Sequence, residues 1–251
     1  VKELILVAQE TTMYGTDLYG EKRLPQLLRE LCKINGLRWI RILYCYPEEI
    51  TDELIQVIKE EPKICHYLDL PIQHASDGIL KRMGRRTSKE QLIETIEKLR
   101  REIPDIALRT TLITGFPGET QEQHEELMDF VDQMEFDRLG VFTYSPEEDT
   151  PAASMPDQIP EEVKEDRQAE LMELQQDIVF DQAEDRIGEE LLVMIEGKVA
   201  DENAYVGRTY RDAPNVDGLI FVNTSEELMS GDFAKVKVTG SADYDLIGEL
   251  L

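Results

Sequence analysis

The sequence has 251 residues, 41% of them hydrophobic and 32% charged, enough for one large or two moderate domains with real cores. Lys and Arg number 27 against 53 Asp and Glu, a formal net charge of −26, so binding driven only by nucleic-acid phosphates is excluded. No apolar run approaches the roughly 20 residues needed to span a bilayer and no secretory signal is visible, so a soluble cytoplasmic protein is expected.

The chain opens with "VKELILVAQETT", in which Leu4 to Ala8 form a continuous apolar run typical of a parallel strand covered on both faces. Similar runs recur at Trp39 to Tyr44, His66 to Leu70, Ala107 to Ile113 and Leu139 to Tyr144. Between them lie amphipathic helical stretches, "RLPQLLRELCKI", "TDELIQVIKEE", "SKEQLIETIEKLRREIP" and "TQEQHEELMDFVDQM". Thr51, three residues before Leu54, suits a helix N-terminus. Strand and helix alternate, which predicts repeated βα units and a parallel sheet, doubly wound or closed into a barrel.

After Tyr144 the segment "SPEEDTPAASMPDQIP" reads as a surface connection. A long acidic helix follows, with Leu171, Leu174 and Ile178 at helical spacing, and is expected to leave the barrel as a linker. From about Ile187 short strand-like runs broken by Gly, Asn and Asp predict a small antiparallel β-barrel. The expected division is 1–186 for the α/β part with its linker helix and 187–251 for the second barrel.

Ligands of parallel α/β folds sit at the C-terminal ends of the strands, and those ends are polar here. They offer Gln9, Glu10 and Thr11, then Tyr46, then Gln73, His74 and Ser76, then Arg109, Thr110 and Thr111, with "GFPGET" and "FTYSP" closing the last two strands. Gly115 and Gly118 permit close backbone approach or positive φ, but no Lys-Ser or Lys-Thr follows, so the loop is not a P-loop. His74 could carry a proton or take a structural hydrogen bond, and alone it defines no metal site. Lys81, Arg82, Arg85 and Arg86 form the densest basic cluster, either a solvated helix face or a contact for a carboxylate. Cys32, Cys45 and Cys65 are widely spaced and odd in number, which argues for reduced, mostly buried thiols.

The stretches "LVAQETTMYG", "YLDLPIQHASDGILKRMGRR", "LRTTLITGFPGET", "FTYSPEEDTPAA" and "GRTYRDAPNVDG" together resemble the radical S-adenosylmethionine methylthiotransferases, through essentially the whole chain. The resemblance implies an α/β fold with a partial TIM-like (β/α) barrel followed by a TRAM β-barrel. It also implies a chain cut just before the second barrel strand, without the CxxxCxxC loop and without the N-terminal cysteine domain. S-adenosylmethionine is the implied cofactor, with two 4Fe-4S clusters in the full-length protein and none expected in this chain, which alone is expected to be inactive. By motif position, Gln9 falls near the methionine amino end and Gln73 near the ribose. Arg109 and Thr111 fall near the carboxylate and sulfonium, with Gly115, Phe142 and Tyr144 on the adenine side.

His74 and Arg109 favour the branch that modifies a small-subunit ribosomal protein over the tRNA-modifying branch. From Ile187 onward 13 acidic residues face 5 basic ones, which suits a basic ribosomal protein and not tRNA. The implied reaction replaces a β-carbon hydrogen of an aspartate with a methylthio group. A non-catalytic binding module remains the alternative from a different class. An unrelated barrel using acid–base chemistry would want paired carboxylates or a Lys at the strand ends, which offer chiefly amides, hydroxyls and one Arg.

Overall fold

A computed structural model describes residues 1–251. Five strands, β1 (Glu3–Leu6), β2 (Trp39–Ile42), β3 (Ile64–Asp69), β4 (Ala107–Thr114) and β5 (Arg138–Thr143), form a parallel sheet in chain order. Between them run α1 (Thr16–Tyr19), α2 (Leu24–Cys32), α3 (Asp52–Glu60), α4 (Asp77–Arg82), α5 (Lys89–Glu102) and α6 (Gln121–Met134). Their starts follow local chemistry. Thr51 accepts from the Leu54 N–H, and Ser88 with Gln91 and Thr120 with Gln123 close reciprocal capping boxes.

Successive strand residues point to opposite faces, and the two faces differ. Leu4, Leu6, Ile40, Ile42, Leu68, Leu108 and Leu112 join the apolar faces of α2, α3, α5 and α6 in one core. Trp39, Cys65, Tyr67 and Ala107 point the other way and belong to a separate cluster. A sheet in sequential order with its helices on one face is an open partial barrel, and the doubly wound option is thereby removed. The inner face is left for something else to cover.

The long helix α7 (Glu161–Asp185) corrects the expectation of a linker leaving the barrel. It lies along β5, and its buried stripe runs Lys164, Arg167, Leu171, Gln175 and Ile178, one residue every three or four. Leu171 and Ile178 enter the main core. Gln168 donates to the Val141 carbonyl at 2.6 Å and Gln175 to the Phe136 carbonyl at 2.7 Å. The helix thus covers the outer edge of the sheet, which would otherwise present an unpaired strand.

The remaining strands, β6 (Glu190–Lys198), β7 (Ala204–Arg208), β8 (Ile220–Asn223), β9 (Phe233–Ala242) and β10 (Asp245–Leu250), close a barrel in the order β10-β8-β7-β6-β9 around Val193, Ile195, Tyr205, Ile220, Val222, Val236 and Val238. It is antiparallel except at one seam, where β8 and β10 run parallel. Five strands cannot alternate direction all the way round a closed ring, so one parallel pair is obligatory. No helix is long and apolar enough to cross a membrane.

Leu171 is fully buried. Leu171→Ala is expected to destabilise the protein by about 2–5 kcal/mol in urea unfolding; a loss below about 0.5 kcal/mol would mean that α7 is not part of the core.

Candidate active-site mouth on the inner face

The N-terminal half of the inner face is covered by the loop between β7 and β8, which carries "GRTYRDAPNVDG". Met194 and Ala213 pack onto Trp39, Cys65, Tyr67 and Ala107. Around this apolar patch the contacts are charged and buried. Glu3 accepts from Arg41 Nε at 2.8 Å and from Arg208 Nη2 at 2.6 Å, and all three side chains are at most 7% exposed. Arg41 also donates to the Tyr210 carbonyl at 2.6 Å. Arg211 pairs with Asp137, and Arg138 with Asp212. Asp217 accepts from the Tyr67 hydroxyl at 2.7 Å and lies 3.4 Å from Arg109 Nε.

The C-terminal half of the inner face is open. Phe142 and Tyr44 are exposed, Thr111 and Ile113 half-buried. Two residues there hold left-handed backbones that bulky side chains seldom adopt, Tyr44 at φ 58° and Gln73 at φ 71°. Each is fixed by its surroundings. The Tyr44 N–H donates to Asp69 Oδ2 at 3.1 Å, and its carbonyl accepts from the Thr11 N–H at 2.9 Å. The Gln73 N–H donates to the Thr111 carbonyl at 2.9 Å, and its carbonyl accepts from the Ile113 N–H at 2.8 Å. Gln73 Oε1 is buried without a hydrogen-bond partner. It borders a cavity of about 470 Å³ lined also by Arg82, Met83, Ile113, Phe116 and Met155. An apolar slot with one unpartnered acceptor and nearby guanidinium groups fits a ligand with a flat apolar body and hydroxyl or amino donors.

One buried carboxylate organises the "GFPGET" loop behind this cavity. Glu119 accepts from the Gly115 N–H and from Arg167 Nη1, both at 2.8 Å, and its Oε2 lies 3.6 Å from His74 Nε2. Burial by itself would raise its pKa, but His74, Arg167 and the Gly115 N–H outweigh that and hold it below the usual carboxylate value. His74 Nδ1 accepts from the Ser76 N–H at 2.9 Å, a structural role.

The residues expected from the sequence do not all converge. Gln9 is exposed beyond β1, and Gln73, Thr111 and Phe142 surround the open mouth. Arg109 is lower on the inner face, held by Asp69 at 3.1 Å and by Asp217. Its pKa is raised, the attraction of Asp69, Tyr67 and Asp217 exceeding the opposing effect of burial. Gly115 is covered by Lys164: at φ 69° a Cβ there would collide with the Lys164 stem, so the close approach it permits is to α7. Gly118 does the same for Arg82. Tyr144 is buried edge-on against Phe116 at 5.1 Å, and its carbonyl accepts from Lys164 Nζ at 2.8 Å, so it supports the cavity wall from behind.

Several organising residues escaped the sequence reading. Asp69 ends an apolar strand, and Lys164 and Arg167 continue the stripe of Leu171 and Ile178, a spacing that could have marked them as buried. The partnership of Asp217 with Arg109 spans 108 positions and left no local trace. The cysteines do not cluster. Cys45 and Cys65 are buried, burial pushing the Cys65 thiol up to about 12 and Cys32 to about 11. No group of three His, Cys, Asp or Glu side chains is arranged to hold a metal ion, so these residues do not fit an iron–sulfur cluster.

The depressed Glu119 pKa stabilises the fold fully above the unfolded value and is lost as pH falls through the folded one. Glu119→Gln should therefore cost about 3 kcal/mol at pH 7, with the gap to the unaltered protein closing below about pH 4. Urea midpoints across that range test this, and an unchanged gap at low pH would refute the charge assignment.

Comparison with known proteins agrees with this architecture. Residues 187–251 match the TRAM domain and residues 1–131 the radical SAM superfamily. The ribosomal protein uS12 methylthiotransferase RimO of Lachnoclostridium phytofermentans is 68% identical over 248 residues, 99% of this chain and 56% of that protein. Its namesake from Desulfitobacterium hafniense is 53% identical over 251 residues, 100% of this chain and 56% of that protein. The chain spans little more than half the length of these curated relatives. Among solved structures, Elp3 of Methanocaldococcus infernus shares the fold at a TM-score of 0.50 and 17% identity, covering 69% of this chain and 44% of that one. With its partial barrel of parallel strands and a family match over more than half of its residues, the chain belongs to the radical SAM superfamily.

Proposed function

We propose that the chain is the ligand-binding and TRAM portion of a methylthiotransferase that uses S-adenosylmethionine to modify the β-carbon of an aspartate in ribosomal protein uS12. The observation that carries this reading is the 68% identity, over 99% of the chain, to a protein named for that reaction class and substrate. A ribosomal-protein substrate puts the reaction in the cytoplasm.

In this reading the cofactor lies across the open strand ends. The apolar slot beside Ile113, Phe116 and Met155 takes the base, with Gly115 and Tyr144 acting from behind as its support. The unpartnered Gln73 Oε1 accepts from a ribose hydroxyl. Thr111, Phe142 and Gln9 flank the amino-acid end, and Arg109 forms the floor below, its guanidinium paired with Asp69 and Asp217. Bound S-adenosylmethionine, given an electron from the reduced cluster that the chemistry requires, would supply the means to remove hydrogen from an unactivated carbon. The exposed Phe142 ring offers an apolar surface beside that region. Ligands for the cluster that the chemistry requires are not among these residues, because the thiols of Cys32, Cys45 and Cys65 are separated and held protonated by burial. The 251 residues alone are therefore inactive.

The TRAM barrel is the proposed docking element. From Ile187 onward 13 acidic residues face 5 basic ones, and two of those five, Arg208 and Arg211, are buried against the sheet. Asp212 and Asp217 are buried with them, so the outward surface keeps the acidic excess of the whole domain. It attracts a basic protein and repels tRNA.

The test uses a protein of the relatives' full length carrying this chain, reconstituted anaerobically with iron and sulfide and given S-adenosylmethionine, reductant and a sulfur source. Mass spectrometry should find a methylthio adduct on an aspartate of uS12 and none on tRNA supplied in parallel; an adduct on tRNA alone would overturn the substrate. The 251-residue chain treated likewise should develop no stable visible charge-transfer band, and a cluster bound to it would overturn the claim of inactivity.

A further inference from the structure

Arg109 and Arg138 stand side by side on β4 and β5 as register partners. Two guanidinium groups so placed repel each other, and partial burial weakens the screening that water would give. The sheet itself supplies one carboxylate near Arg109, that of Asp69. The other two come from the loop after β7, with Asp212 pairing with Arg138 and Asp217 reaching Arg109.

Asp217 is held in a way that aims it. Its Oδ2 accepts from the Tyr67 hydroxyl at 2.7 Å and the Ala213 N–H at 2.8 Å, leaving Oδ1 toward Arg109 Nε at 3.4 Å. Arg109 is therefore clamped between a carboxylate from β3 and one from the TRAM barrel. Beyond the guanidinium lies the open side of Gly140, where a Cβ would stand 4.0 Å from Arg109 Nη2 and 3.7 Å from Phe142 Cε2. On its other side the network continues upward, since Asp69 Oδ2 also holds the Tyr44 N–H in its left-handed turn. A long, flexible side chain without the second carboxylate would regain rotamers and move away from Arg138.

We propose that Asp217 is a positioning residue: it fixes Arg109 beneath the mouth, so that the TRAM barrel helps to build the ligand-binding face as well as to dock a partner. This rests on the ligand reading given under Proposed function. Removing the Asp217 charge frees Arg109, whereas removing the Asp212 charge disturbs the same loop and leaves Arg109 clamped. The two variants thus separate positioning from simple attachment of the barrel.

The test compares Asp217→Asn, Asp217→Glu and Asp212→Asn in the full 251-residue chain. The first readout is the Arg109 side-chain Nε–H signal in nitrogen-15 NMR, assigned with Arg109→Lys. The second is calorimetric binding of S-adenosylhomocysteine, with melting temperature as the record of general damage. The expected result is a protected Arg109 signal in the unaltered chain and in Asp212→Asn, lost in Asp217→Asn and recovered in part by Asp217→Glu. Affinity should fall about tenfold in Asp217→Asn and by less than about twofold in Asp212→Asn, even if both melt earlier. An Arg109 signal unchanged in Asp217→Asn, or lost equally in Asp212→Asn, would overturn the positioning role. Absence of ligand binding by the unaltered chain with the NMR pattern as expected would instead overturn the ligand reading, and with it the ligand-facing part of this proposal.

Discussion

The structure depends on the buried lattice of charges between the inner face of the sheet and the loop that follows β7. Glu3, Arg41 and Arg208 are almost wholly removed from water, and Arg138, Asp137, Arg211 and Asp212 adjoin them. Burying an unpaired charge costs several kcal/mol, so each of these groups requires the partner that the other domain brings. The inner face cannot exist in this form without the TRAM loop, and the loop, whose Arg208, Arg211, Asp212 and Asp217 are buried against the sheet, has little reason to order without it. A partial barrel has one face that helices do not cover. Here that face is charged at its base and polar above, and the lattice determines where the second domain must sit.

Closing one end leaves the other free for chemistry. The strand ends hold the features a ligand site requires: exposed aromatic rings, left-handed backbones at Tyr44 and Gln73, and a buried amide oxygen with no partner. None of these is stable by itself. Tyr44 is held by Asp69 and Thr11, Gln73 by β4, and the glycine loop by Glu119 with Arg167 behind it. The pattern is a strained rim on a buried, charge-paired foundation, which keeps the mouth shaped.

The helix α7 supplies much of that foundation. Lys164 and Arg167 point inward from its first turns to a backbone carbonyl and a buried carboxylate, while Leu171 and Ile178 fill the core further along. One stripe therefore changes from cationic to apolar along its length, matching polar loop ends above and strand bodies below. An acidic outer face on the same helix gives its sequence the character of a solvated linker, although the opposite stripe is buried.

The sequence by itself determined the elements and their type. Apolar runs of strand length, capping residues such as Thr51, Ser88 and Thr120, and the polar strand ends are local signals, because each depends on neighbours within a few positions. The ordered motifs likewise carried the family, and with it the expectation of a partial barrel and a TRAM domain. Only the tertiary structure decided which polar residues lie at the open strand ends and which face one another. Gln73 and Thr111 reached the mouth, whereas Arg109 was claimed from below by Asp217, Gly115 was covered by Lys164, and Tyr144 turned into the wall. A side chain's partner across the fold is set by packing at long sequence separation, and no spacing along the chain encodes it.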